Sequence, residues 1–64
     1  MKSEIDEAKR TLKSHGYSIV TIYNPNCIEL EVLVLKGLNL IDGHIDIEEN
    51  CNKFLIEKAK FILI

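Results

Sequence analysis

The stretch Ile28-Glu29-Leu30-Glu31-Val32-Leu33-Val34-Leu35-Lys36-Gly37 decides how this chain folds. Its first half alternates, with Ile28, Leu30, Val32 and Val34 on one side and Glu29 and Glu31 on the other. Period-two alternation of this kind is the pattern of a half-buried strand. Its second half becomes apolar on both sides through Leu33 and Leu35, which predicts a central strand covered on both faces there. A helix beginning at Pro25, capped by Asn24, is the competing reading of the same segment. The β-branched content and the alternation favour strand.

Outward from that strand, Asn24-Pro25-Asn26 is a turn signal. Before it, Tyr17 to Tyr23 is mostly β-branched or aromatic and reads as a strand. Glu4 to His15 places Ile5, Ala8, Leu12 and His15 on one helical face, with Ser3 as cap and Asp6 in the capping-box position. Acidic residues at its start and Lys9, Arg10 and Lys13 further on complement the helix dipole. Gly16 supplies a left-handed stop.

After the central strand, Lys36-Gly37 predicts a bulge or bend. Asp42-Gly43 predicts a type I′ hairpin between Leu38–Ile41 and His44–Ile47. From about Glu48 the composition is helical, with Asp46 as cap and Glu49 completing a capping box. The expected fold is a single α+β domain over residues 1–64. Its order is α-β-β-β-α, a three-stranded antiparallel meander packed with N- and C-terminal helices.

The last segment has more apolar surface than one amphipathic stripe. Cys51, Phe54, Leu55, Lys58, Ala59 and Ile62 form the stripe, whereas Ile56, Phe61, Leu63 and Ile64 lie outside it. A helix apolar on several sides needs several surfaces to pack against. Sixty-four residues build little core, burying only roughly 60% of the unfolded surface. The tail Phe61, Ile62, Leu63 and Ile64 is therefore expected to serve self-association.

Composition narrows the function classes. The chain is 47% hydrophobic, with two Tyr, two Phe and no Trp, and its net charge is −2. Seven of its eight basic residues are lysines, a poor set for bidentate phosphate or base contacts. Two cysteines are too few for a disulfide scaffold, six of the first dozen residues are charged, and no segment reaches the ~18 apolar residues of a membrane span. A cytoplasmic compartment with reduced thiols is expected, without a membrane partner.

No chemical motif emerges. His15, Cys27, His44 and Cys51 stand singly rather than in the close pairs of a zinc site. Asp42-Gly43, Ile45 and Glu49 fall at calcium-loop positions, but the first ligand places would be Leu38 and Leu40, which offer no oxygen. Cys27 or Cys51 beside a histidine would be needed for nucleophilic catalysis, and nothing flanking them resembles such a motif. No glycine-rich phosphate loop is present. No cofactor, metal or catalytic residue is expected.

The reading that follows is a small non-enzymatic interaction protein, a homo-oligomer that binds and modulates or inhibits a larger protein partner. Its size and acidity are those of compact accessory proteins of phages and mobile elements, an analogy of composition alone. Partner contact is expected at the sheet edge and its acidic strand face, Glu29 and Glu31, with Tyr17 and Tyr23 added because tyrosine suits interfaces. The alternative is a small nucleic-acid-binding regulator using Lys9, Arg10 and Lys13 on the first helix.

Overall fold

A computed structural model describes residues 3–63, with the side chain of Leu63 outside the description. The element order is α1 (Glu4–Ser14), β1 (Tyr17–Tyr23), β2 (Glu29–Lys36), β3 (Asn39–Ile47) and α2 (Glu48–Leu63). The strands form one antiparallel sheet in the order β1-β2-β3. This is the expected α-β-β-β-α meander, with β2 central and both neighbours at edges.

Each boundary has a local cause. Ser3 is extended and its hydroxyl accepts the Asp6 N–H, opening α1. His15 ends the helix, and Gly16 at φ +88° turns the chain out while its N–H reaches the Lys13 carbonyl at 3.1 Å. After β1, the Cys27 N–H bonds the Asn24 carbonyl across Pro25-Asn26, and the Asn24 side chain accepts the Asn26 N–H. Asn26 keeps a negative φ, so this is the type I turn that Pro favours at its second position. No helix starts at Pro25. The strand begins one residue later than expected, at Glu29, which leaves Ile28 out of it and 85% exposed.

The hairpin between β2 and β3 lies elsewhere than the sequence signals suggest. Lys36 pairs with Asn39, so Gly37-Leu38 is the two-residue connection. Gly37 has φ +63°, while among the described residues no non-glycine residue has positive φ. That combination is the type II′ pattern, which demands glycine only at its first central position. Asp42-Gly43 is instead strand interior, one step beyond a bulge. Val34 pairs with Asp42 but Leu35 pairs with Leu40, leaving Ile41 as the extra residue. The roles expected of Lys36-Gly37 and Asp42-Gly43 are thus exchanged. Two neighbouring glycine signals fit one long strand pair, and the turn at Gly37 keeps both strands long enough to pair eight residues of β2. The bulge has a further effect, because a one-residue slip moves side chains to the opposite face. It turns Leu40 outward together with Leu35.

Both helices lie on the same side of the sheet. Ala8 and Leu12 of α1, Leu30, Val32 and Val34 of β2, and Cys51, Leu55 and Ala59 of α2 form one buried cluster. Ile5, Tyr17, Ile19, Phe54, Ile56 and Ile62 close around it. Ile56, outside the main stripe of α2, is accommodated because α1 packs beside that helix. The domain is accordingly two layers thick, with extents of 36 × 32 × 16 Å. Asp46 does not cap α2 through the expected box: its Oδ1 accepts the N–H of Ile47, the residue immediately before the helix, at 2.8 Å.

Candidate functional site

The register assigns every strand residue to a face. Leu30, Val32 and Val34 point to the helices, and their partners do likewise: Tyr23, Thr21 and Ile19 on β1, and Asp46, His44 and Asp42 on β3. The other face carries three rows across the strands. These are Ile22–Glu31–Ile45, Val20–Leu33–Gly43 and Ser18–Leu35–Leu40, with Glu29–Ile47 beyond the first.

Among the described residues, no helix or loop covers that second face. Val20 is 44% exposed, Ile22 47%, Leu40 61%, Ile45 63% and Ile47 36%, and bulge residue Ile41 is 51% exposed beside them. Leu33 and Leu35 are half-buried by their own neighbours. At Gly43 the missing side chain leaves a dip that Leu33 overlies, its Cδ2 being 3.1 Å from where a Cβ would stand. The result is an aliphatic surface with two carboxylates, Glu29 and Glu31, at one end and no Lys or Arg side chain on it. Water meets these methyls where a solvated strand face carries polar residues. This corrects the expectation that β2 is covered on both sides at Leu33 and Leu35.

The residues singled out in the sequence divide between the two faces. Glu29 is exposed and Glu31 half-buried on the open face. Tyr17 and Tyr23 stand on the helix side of β1, Tyr17 packed against the core with the Lys36 ammonium 5.2 Å above its ring, Tyr23 70% exposed at the strand end. The tyrosines and glutamates are not brought together on one surface. In the tail, Phe61 is 73% exposed and Ile62 is half-buried against the core; the side chain of Leu63 and all of Ile64 lie outside the described residues. On α1, Lys9, Arg10 and Lys13 line a shallow depression together with Asp6.

Polar chemistry gathers on the helix side of β3. Asp42, His44 and Asp46 alternate along this edge strand and face α2. The His44 ring stacks on Phe54 with centroids 5.0 Å apart, and its Nε2 lies 3.4 Å from Asp46 Oδ2. His44 is thus half-buried against α2. Asp42 pairs with Lys58. The Lys58 hydrogen bond, followed by the Gly43 N–H, holds the Asp42 carboxyl below its ordinary value. The Ile47 N–H, followed by Asn50 and His44, does the same for Asp46.

Cys51 is buried under this cluster, with Sγ 3.4 Å from the Asp46 carbonyl, and burial pushes its thiol pKa up. That shift is opposite to the one that activates a nucleophilic thiol. Cys27 is exposed in the β1–β2 loop. Among the described residues, no three His, Cys, Asp or Glu side chains are grouped to hold a metal ion. A cleft of about 160 Å³ opens between α1, α2 and the end of β1, bordered by Lys9, Thr21, Tyr23, Glu48 and Asn52. Among the described residues, no helix is long and apolar enough to cross a membrane.

The open face escaped the sequence reading for a definable reason. Strand alternation reveals that two faces differ, but not which one the helices select. The available signal was the doubly apolar half of β2, because two helices of 11 and 16 residues cover about one face of a three-stranded sheet. Comparison of the chain with protein-family models, curated proteins and solved structures returns no match.

Proposed function

We propose that this protein is a non-enzymatic protein-interaction module whose contact surface is the open aliphatic face of its sheet. One observation carries the reading: Val20, Ile22, Leu40, Ile41, Ile45 and Ile47 stand exposed on one face of the sheet, which no element among the described residues covers. Monomeric proteins rarely leave apolar patches larger than a few hundred Å² in water, and larger ones mark interaction sites. Glu29 and Glu31 border this patch and set its polarity, so they remain the charged contacts toward a larger partner that such a module would bind and modulate.

The helix-side chemistry supports a binding role over a catalytic one. His44 is engaged by Phe54 and Asp46, Cys51 is buried with a raised pKa, and Asp42 is neutralised by Lys58. Those contacts secure α2 to the edge strand and thereby stiffen the sheet that presents the open face.

Binding of a hydrophobicity-sensitive fluorescent dye tests the reading. A chain whose open face is a contact surface either associates or binds the dye, and Ile45→Lys abolishes whichever of the two occurs. A native chain that is monomeric, leaves the dye dark and is unaffected by Ile45→Lys would remove the proposal.

A further inference from the structure

The proposed role of the open face leaves its occupant to be identified, and charge and area narrow the choice. The face carries Glu29 and Glu31 and no Lys or Arg, since Lys36, the one basic residue on the strands, pairs with Tyr17 and Asn39 on the helix side. An anionic lipid surface or a nucleic acid requires the opposite charge. An aliphatic sheet face fits another sheet, which packs face to face at about 10 Å.

We infer that the occupant is a second copy of this chain, packed face to face with its strands antiparallel, about a two-fold axis along the row Val20–Leu33–Gly43. The inference rests on the interaction-surface reading above. The six exposed residues average about half of their full area. With Leu33 and Leu35 they offer on the order of 600 Å² per copy, so a symmetric pair removes roughly 1,200 Å², where stable specific interfaces begin.

Charge then selects the axis. A two-fold parallel to the strands would lay Glu29 and Glu31 over the same residues of the second copy, bringing like charges together in a water-poor interface. A two-fold across the strands reverses their direction. It sends the Glu29–Glu31 end of each copy to the Gly37 hairpin end of the other, so the carboxylates of the two copies stand at opposite ends of the interface. In this arrangement Val20 and Leu33 meet their own counterparts, and Ile45 of one copy lies over Leu40 of the other. The bulge at Ile41 acquires a role here, because it is what turns Leu40 toward the second copy.

Sedimentation equilibrium and site-directed cross-linking test this together. The native chain should sediment at twice 7.3 kDa at micromolar concentration, and Ile45→Lys should weaken the association at least about 100-fold while keeping the native circular dichroism, because Ile45 is already largely exposed. For geometry, two chains carrying Cys27→Ser are mixed with a short bis-maleimide, one also carrying Leu40→Cys and the other Ile45→Cys. This pair should cross-link in high yield, whereas Ile22→Cys with Ile45→Cys should not.

Dominant Ile22–Ile45 cross-linking would overturn the antiparallel arrangement and leave the interaction-surface reading standing. A dimer unaffected by Ile45→Lys but lost in Phe61→Ser would overturn the inference in favour of the C-terminal tail. A native monomer would overturn it as well, and the dye experiment then decides separately whether the face is a contact surface at all.

Discussion

The exchange of roles between two glycines gives a sharp test of the fold. Gly37 sits at φ +63° with open space where a Cβ would be, whereas Gly43 lies in extended strand with Leu33 Cδ2 3.1 Å and the Val32 carbonyl 3.4 Å from that position. In Gly37→Ala the new side chain meets nothing, so the whole effect is conformational. Forcing an L-residue into left-handed backbone costs about 1–2 kcal/mol. The narrower unfolded ensemble of alanine returns about 0.4–1 kcal/mol. The net loss is about 1 kcal/mol, or roughly 4–8 °C in the midpoint of a domain this small.

Gly43→Ala is set by different quantities. Alanine is favoured over glycine in a strand by about 0.5–1 kcal/mol, and the opposing cost is a shift of a few tenths of an ångström by the flexible end of Leu33. The net change should stay within about 0.5 kcal/mol. Thermal denaturation followed by circular dichroism, with all chains at one concentration because association would move the midpoint, measures both. A hairpin at Asp42-Gly43 would place Gly43 in the left-handed region and Gly37 in a strand. Finding Gly43→Ala the more damaging substitution would refute the register described here.

Three other outcomes are expected. Leu12 is fully buried between α1 and the rest of the core, so Leu12→Ala should cost about 3 kcal/mol; that is a large share of the ~3–10 kcal/mol available to a chain of this length, and urea titration should show a much lower midpoint or no folded baseline. Asp42 has a folded-state pKa below its ordinary 3.8; its contribution is complete above that value and lost as pH falls through the folded pKa, and Lys58→Met should flatten this acid limb only slightly, since the pair is partly exposed and worth less than about 1 kcal/mol. Cys27 should react promptly with a thiol reagent at neutral pH, while Cys51, buried and with a raised pKa, should react at the rate of unfolding.

The sequence displayed the elements clearly because their signals are local. Ser3 and Gly16 bracket α1, the Asn24-Pro25-Asn26 turn closes β1, and the alternation from Glu29 to Val34 fixes β2 as a strand with Leu30, Val32 and Val34 inward. Cys51 on the stripe of α2 proved to be the small buried hydrophobe that its spacing implies. What was not legible depended on pairing between distant segments. Asp42-Gly43 is a strong hairpin signal in isolation, but the partner that β3 needs runs to Lys36, and only a turn at Gly37 lets that whole strand pair. The bulge that follows reassigns Leu40, a change no pattern confined to β3 can show. The open face was hidden for the same reason, since its rows join residues from three strands and become contiguous only once the register is known. Tyr17 and Tyr23 were grouped with Glu29 and Glu31 by residue type; the pairing of Tyr23 with Leu30 places them on opposite sides.

Isotope-filtered nuclear Overhauser spectroscopy on an equimolar mixture of labelled and unlabelled chains reports directly whether the open face is covered in solution. Intermolecular contacts from the methyl groups of Val20, Leu33, Leu40 and Ile45, with Ile45 to Leu40 among the strongest, are the expected result. An absence of intermolecular contacts from these methyls, or contacts confined to Phe61 and Ile62, would contradict a sheet face that binds a second copy.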